Sequence, residues 1–103
     1  MMTDVRPPTK RTLIRAYAML MGVPYRSVWS AEDIDCGGSV SYTFSVTDRG
    51  DIPAITAESW EDWDNAREHM RWKLMCLIGD VVLDSSSSTE HLLRASRALA
   101  LLA

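Results

Sequence analysis

The sequence predicts a single α+β domain in which an antiparallel β-hairpin packs on a long helix, with short helices before the hairpin and one helix at the C-terminus. Three observations predict it: helical spacing of apolar residues in residues 56–79, strict apolar alternation in residues 39–47, and a length of 103 residues. A chain of that length forms one domain with a core of its own. Two nearby prolines predict that residues 1–9 form a flexible arm of this domain, which spans residues 1–103.

The long helix is predicted from about Ala57 to Ile78, with Thr56 as its N-cap and Gly79 as the residue that ends it. Its apolar residues recur at gaps of three, seven, four and three, which is the spacing of one helical face. That face consists of Trp60, Trp63, Met70, Leu74 and Leu77, with Ala66 in the wide gap. We expect this face to form the centre of the core.

Two shorter helices are predicted before the sheet. The first begins after Thr9 or Thr12 as N-cap and ends at Gly22. Its buried side consists of Leu13, Ala16, Tyr17, Leu20 and Met21. The second lies within residues 23–33 and starts near a proline, which suits a first helical turn. Residues 34–38, which contain two glycines, are predicted to form a loop.

The strongest strand signal lies in residues 39–47, where apolar residues alternate with serine and threonine. The apolar set is Val40, Tyr42, Phe44 and Val46. One face is therefore expected on the core and the other near solvent. Turn residues at 48–51 lead to a second strand at 52–56, which Pro53 places at the edge of the sheet.

The C-terminal third ends in an apolar helix. Residues 80–84 are either a helical turn or a third strand, and Ser87 with Glu90 forms a capping box for the last helix. Its apolar side consists of Leu92, Ala95, Leu99 and Leu102, widened by Leu93 and Leu101. A helix this apolar either docks on the core or binds a partner, and a homodimer through it is one such arrangement.

Composition predicts a soluble, cytoplasmic protein. Cys36 and Cys76 stand in unrelated contexts, which indicates a reduced protein without a disulfide framework, although a single disulfide is an alternative. The sequence contains no run of about 18 apolar residues, so no membrane span is predicted. The start of the chain lacks the apolar segment of a signal peptide. The net charge is −3, but residues 1–30 carry +4 and residues 31–103 carry −7. Such asymmetry points to charged partners.

The order of small and apolar residues between Ala18 and Val28 resembles the helix-turn-helix of many bacterial and phage DNA-binding proteins. The residues that carry the resemblance are Ala18, Met21, Gly22, Val23 and Val28. It implies that Tyr25, Arg26 and Trp29 begin a recognition helix and that Arg11 and Arg15 approach phosphates. The functional alternative is therefore a DNA-binding transcriptional regulator that uses residues 11–32.

A second candidate surface is acidic. Glu61, Asp64 and Glu68 share a helical face by their spacing, and Trp72 lies off the core face, where it can anchor a partner. The predicted partner-binding residues are Glu32, Asp33, Glu61, Asp64, Glu68 and Trp72. In the alternative interpretation the acids form a solvated face, in which Arg67 and Arg71 pair with Asp64 and Glu68.

No residue pattern predicts catalysis, a metal or a cofactor. His69 and Cys76 are about 10 Å apart along one helix, too far for a nucleophile and its base, and the cysteines and histidines lack zinc-ligand spacing. The favoured function is therefore a small, acidic, non-enzymatic interaction protein. We expect an accessory or inhibitor protein of phage or mobile-element type that binds a host protein through an anionic, tryptophan-bearing surface.

Overall fold

The computed structural model describes residues 7–103 and confirms the α+β architecture. The elements are α1 (Lys10–Met21), a 3-10 turn (Tyr25–Ser27), β1 (Val28–Ile34), β2 (Val40–Val46), β3 (Ile55–Ser59), α2 (Trp63–Leu83) and α3 (Thr89–Leu102). Of the predicted flexible arm, residues 1–6 lie outside the described residues. The last residue of the arm, Thr9, is the N-cap of α1.

α1 forms as the sequence predicts. The Thr9 hydroxyl accepts a hydrogen bond from the Thr12 amide at 3.2 Å, and Gly22 ends the helix in the left-handed conformation at φ 71°. The buried residues of α1 are Leu13, Ile14, Ala16, Tyr17, Ala18 and Leu20. These residues lie on more than one side of the helix, because α1 packs against α3 as well as toward the sheet. On the sheet side, the ring centroids of Tyr17 and Phe44 are 6.0 Å apart.

The sheet has the order β1-β2-β3, with β2 at the centre and antiparallel to both neighbours. The predicted alternation of β2 is confirmed, since its four apolar residues are buried and the residues between them are only partly covered. α2 packs across β3 and β2, and α3 packs on α1 and α2. The hairpin predicted to lie on the long helix is thus formed by β2 and β3 against α2.

Residues 23–33 do not form the predicted second helix. One 3-10 turn leads into β1, which pairs with the whole of β2, from Val28 opposite Val46 to Ile34 opposite Val40. Only the two ends of β1 carry aliphatic residues on the core side, so the strand has no clear apolar alternation. It forms because the backbone groups along that side of β2 need hydrogen-bond partners.

The long helix begins later than predicted. Burial alternates along Ile55–Ser59, which pairs with β2 as β3, so Thr56 is a strand residue rather than an N-cap. The second strand therefore lies further along the chain than the predicted residues 52–56. The N-cap of α2 is Asp62, whose carboxylate accepts a hydrogen bond from the Asn65 amide at 2.8 Å.

The predicted helix end at Gly79 is also wrong. α2 continues to Leu83, so that the alternatives left open for residues 80–84 are decided in favour of helix. Ile78 is 3% exposed and Val81 packs partly on the core, which holds the last turns in place. Their burial outweighs the cost of about 1 kcal/mol for a glycine inside a helix.

The core side of α2 agrees with the prediction except at its start. The buried residues are Ala66, Met70, Leu74 and Ile78, and Trp63 and Leu77 are partly buried against them. Trp60 is not a core residue, since it is 70% exposed. The helical spacing included it because residues 55–59 were expected to belong to the same helix, whereas the strand places Trp60 in the connecting loop.

α3 forms, but its cap and its buried side differ from the prediction. Ser88, rather than Ser87, accepts the hydrogen bond from the His91 amide, at 3.0 Å. The buried residues are Ala95, Ala98 and Leu102, whereas Leu92, Leu93 and Leu99 are 38%, 50% and 41% exposed. Alanines on the buried side allow α3 to approach α1 closely, and this turns three leucines toward solvent.

Two glycines lead to opposite expectations for stability. We expect Gly22→Ala to lower the free energy of unfolding by about 1–2 kcal/mol, because φ is positive and a Cβ there would collide with the Arg94 guanidinium. We expect Gly79→Ala to raise it by about 0.5–1 kcal/mol, because no atom beyond the neighbouring residues and the backbone of its own helix lies within 4 Å of the added Cβ. Urea unfolding followed by circular dichroism measures both. Destabilisation by Gly79→Ala would contradict a continuous α2.

Candidate protein-interaction surface

The sheet has one face that no helix of residues 7–103 covers. It consists of Trp29, Ala31 and Asp33 on β1, Ser41, Thr43 and Ser45 on β2, and Thr56 and Glu58 on β3. The Thr43 and Thr56 hydroxyls are hydrogen-bonded to each other at 2.9 Å. The open face is thus a surface lined by hydroxyl groups, with Trp29 at one end and the carboxylates of Asp33 and Glu58 at the other.

Acidic residues from several segments meet at one end of the open face. Asp33 and Glu58 stand on either side of Ser41 in neighbouring strands, and strand spacing puts their backbones roughly 10 Å apart. Asp35 lies in the turn that follows β1, and Glu61 lies in the loop that follows β3. We refer to this group as the acidic end of the sheet; its members are Asp33, Asp35, Glu58 and Glu61.

The acidic end is not neutralised by ion pairs within residues 7–103. Asp33, Asp35 and Glu58 are exposed and take part in none of the ion pairs formed there. Glu61 accepts a hydrogen bond from the neutral Asn65 side chain at 3.0 Å. The screening length is about 8 Å at physiological salt, which is close to the spacing of these carboxylates. Their potentials therefore overlap, and this end attracts cations and basic side chains.

An exposed tryptophan lies beside the acidic end. The Trp60 ring packs on Gly37 in the turn after β1, where an added Cβ would lie 3.2 Å from a ring carbon. Because glycine has no side chain there, the ring can approach this turn closely. The structure thus combines carboxylates with a large aromatic surface, although the tryptophan is not the one that the sequence predicts.

No group of three or more His, Cys, Asp and Glu side chains among residues 7–103 is arranged to hold a metal ion, and Cys36 and Cys76 are exposed, free thiols. Nor does that part contain a helix long and apolar enough to cross a membrane. Comparisons with protein-family models, curated proteins and solved structures gave no match.

Glu32 and Asp33, which the sequence predicts to act together, point to opposite sides of the sheet. Glu32 lies on the helix side, where its Oε1 accepts a hydrogen bond from the Lys10 ammonium at 2.7 Å. Asp33 lies on the open face, next to Ser41. Only Asp33 therefore belongs to the acidic end.

The acids of α2 are partly neutralised by their own helix. Asp64 pairs with Arg67, and the Glu68 carboxylate accepts a hydrogen bond from Arg71 at 2.7 Å, as in the alternative that the sequence left open. The hydrogen bond to Glu68 raises the pKa of the Arg71 guanidinium. Of the three acids predicted on this helical face, Glu61 alone has no basic partner within residues 7–103.

Trp72 lies on a separate surface of α2. Its ring is 55% exposed, and the guanidinium carbon of Arg71 lies 5.3 Å from the ring centroid. The ring also forms a wall of an apolar groove of about 340 Å³, whose other lining residues are Pro53, Ala54, Ile55, Lys73, Cys76 and Leu77. Of the six predicted partner-binding residues, Trp72 thus lines this groove and Asp33 and Glu61 lie at the acidic end. The other three, Glu32, Asp64 and Glu68, belong to neither surface.

The residues predicted to bind DNA are exposed but do not form a helix-turn-helix. Arg11 and Arg15 lie one turn apart on α1, Tyr25 and Arg26 lie in the 3-10 turn, and Trp29 is on the open face of β1. The predicted recognition helix is absent, because residues 25–34 form that turn and a strand. Contact of these five residues with DNA stays a prediction.

Proposed function

We propose that this protein is a non-enzymatic interaction module that binds a basic segment of another protein at the acidic end of its sheet. The observation that carries the proposal is the row of Asp33, Ser41 and Glu58, in which two carboxylates without ion pairs in residues 7–103 share one open face. A lysine or arginine side chain between them would make charge-assisted hydrogen bonds. The neighbouring acids would speed association by long-range attraction.

Trp60 adds an anchor to this surface. Tryptophan is enriched among the residues that dominate binding energy, because its large ring can bury much area with few rotatable bonds. At 70% exposure the ring has most of its surface left to bury. Next to carboxylates, it suits an arginine, which stacks on aromatic rings, or the aliphatic stem of a lysine.

The more specific expectation of an inhibitor or accessory protein of phage or mobile-element type stays a prediction. A basic segment that binds carboxylates is often one that binds phosphates, since both ligands are anionic and accept hydrogen bonds. Occupation of such a segment by the acidic end would exclude nucleic acid from the partner. Inhibition would then follow from the same charge layout.

The experiment is capture from host lysate with the full chain as bait, with and without nuclease and at low and high salt. We expect a stoichiometric protein that survives nuclease treatment and is released by salt, because exposed charge contacts are screened. Retention that is lost with nuclease would contradict the proposal. It would favour the DNA-binding alternative, for which Arg26 is the first residue to replace.

A homodimer through α3 is a separate proposal, supported by the outward position of Leu92, Leu93 and Leu99. Leu92 and Leu99 are seven residues apart and so lie on one side of α3, with Leu93 beside them, which allows the three to form one apolar patch. We expect concentration-dependent dimerisation in sedimentation velocity, abolished by Leu93→Glu with Leu99→Glu. A wild-type monomer at every concentration would contradict it.

A further inference from the structure

The edge of the sheet formed by β3 is covered by α2. On β3 the amides and carbonyls of Thr56 and Glu58 point away from β2. The hydrogen-bonded pairs alternate along the ladder, and those with β2 are formed by Ile55, Ala57 and Ser59. The His69 Nδ1–H donates a hydrogen bond to the Glu58 carbonyl at 2.6 Å, and the Lys73 ammonium donates one to the Thr56 carbonyl at 2.5 Å. These contacts protect the β3 edge from pairing with another strand.

The opposite edge, formed by β1, has no such cover within residues 7–103. At the two ends of the β1–β2 ladder the Asp35 amide donates a hydrogen bond to the Ser39 carbonyl at 2.8 Å, and the Thr47 amide donates one to the Ser27 carbonyl at 3.1 Å. These two bonds show which residue pairs of the ladder are hydrogen-bonded. Because hydrogen-bonded pairs alternate in an antiparallel ladder, the amides and carbonyls of Ser30, Glu32 and Ile34 point away from β2. None of them has a hydrogen-bond partner in that part of the chain. The edge can therefore accept a further strand.

The side chains along the β1 edge indicate what such a strand must carry. Ile34 lies on the helix side and is 71% exposed, so it would pack against an aliphatic side chain. Asp33 lies on the open face without an ion pair among residues 7–103, so it favours a basic side chain beside it. Pairing of β1 with a second copy would double the carboxylates along the new ladder, which disfavours that occupant.

We infer that a partner docks by adding an extended segment antiparallel to β1, with lysine or arginine at alternate positions next to Asp33 and aliphatic residues between them next to Ile34. This inference rests on the proposed function, and it adds the backbone pairing by which the basic segment is held. Main-chain hydrogen bonds would supply affinity, and the alternating side chains would supply specificity. Antiparallel pairing matches the existing sheet and is slightly more stable per residue than parallel pairing.

The antiparallel register determines which amides of the added segment face β1. Hydrogen-bonded residues opposite each other carry their side chains on the same face of a sheet. The residues that bond to Ser30, Glu32 and Ile34 must therefore be the aliphatic ones, on the helix side. The basic residues, which face Asp33, must point their amides away from β1. Methylation of the two sets of amides should thus have different effects.

The test uses the full chain and a seven-residue peptide of alternating lysine and valine, matched in length to β1. Two further peptides carry N-methyl groups on the valines or on the lysines. We expect valine methylation to weaken binding at least tenfold in calorimetry and lysine methylation to leave it nearly unchanged. In hydrogen exchange followed by NMR, the unmethylated peptide should slow exchange of the Ser30, Glu32 and Ile34 amides, and not of the Thr56 and Glu58 amides on the covered edge.

Equal binding of all three peptides, with no protection of the Ser30, Glu32 and Ile34 amides, would overturn the backbone pairing. Side-chain binding at the acidic end, and hence the proposed function, would stay intact. Loss of binding with the lysine-methylated peptide alone would contradict the antiparallel register. Protection of the same amides by raising the protein concentration, without peptide, would show that the edge serves a second copy and overturn the inference. Absence of binding by every peptide would overturn it as well, and the lysate capture then tests the proposed function independently.

Discussion

Replacement of Phe44 by alanine is expected to lower the free energy of unfolding by about 3–5 kcal/mol. Phe44 is 0% exposed at the centre of β2, opposite both neighbouring strands, and its ring lies against that of Tyr17. Truncation would remove buried apolar surface and leave a cavity that the surrounding helices cannot fill. Since domains of this size are stable by roughly 5–15 kcal/mol, denaturant unfolding should show a much lower midpoint.

The control for Phe44 is Trp60, whose side chain is larger but mostly exposed. We expect Trp60→Ala to cost less than about 1 kcal/mol, because the ring contacts little beyond the turn at Gly37. A loss for Trp60→Ala as large as that for Phe44→Ala would show that the tryptophan belongs to the core, as its sequence spacing predicts. The pair therefore separates the observed arrangement from the sequence-based one.

Neutralisation of the acidic end by Asp33→Asn with Glu58→Gln is expected to weaken binding of the captured partner at least tenfold, or about 1.4 kcal/mol. Both substitutions keep the shape of the side chains, remove the charge and replace one acceptor oxygen of each carboxylate by an NH2 donor. Neither carboxylate forms an ion pair in residues 7–103, so the stability of the fold should hardly change. Calorimetric titration at low and at physiological salt measures the loss and its salt dependence.

The matched control is Asp48→Asn with Asp80→Asn, which changes the net charge by the same amount. Both residues are exposed, and they lie in the β2–β3 loop and in α2, away from the acidic end. Asparagine also tolerates the positive φ of 61° at position 48. Equal losses of affinity in the two double variants would mean that net charge alone attracts the partner, and this would contradict a localised site.

The elements that were predicted correctly carry their signals locally. α1 has a hydroxyl N-cap at Thr9, a helical apolar face and a glycine at its end, and each of these acts within a few residues. β2 alternates apolar and hydroxyl residues along its whole length because one side lies on the core. Helix caps and half-buried strands can be recognised without knowledge of the tertiary structure.

Two elements depend on their neighbours: β1, which was missed, and β3, which was predicted at residues 52–56 and lies further along the chain. β1 has only Val28 and Ile34 as aliphatic residues on its core side, and β3 has small residues, Ala57 and Ser59, inside. Both strands form because β2 has two sides that need hydrogen bonds. Gly79 stays helical because Ile78 is buried and Val81 packs partly on the core, and burial cannot be read from a short segment.

The candidate site was only partly predictable for the same reason. Of the four residues at the acidic end, only Asp33 and Glu61 were among the predicted partner-binding residues. Which acids meet depends on strand register, which places Glu58 beside Ser41 and Asp33 rather than in a helix. Trp60 was assigned to the core by a helical spacing that the loop interrupts. The available sequence signal for β3 was the alternation of inward Ala57 and Ser59 with outward Glu58. The inward side chains are small, so this pattern does not distinguish a strand from a helix.

The most direct test of binding at the acidic end is an NMR titration of the captured partner into protein labelled at its four tryptophan indoles. Trp60 reports on the acidic end, Trp29 on the far end of the open face, Trp72 on the apolar groove and half-buried Trp63 on the core beside Tyr42. We predict that the Trp60 indole signal shifts most and that the Trp72 signal stays in place. A shift confined to Trp72, or to Trp29 alone, would contradict the account.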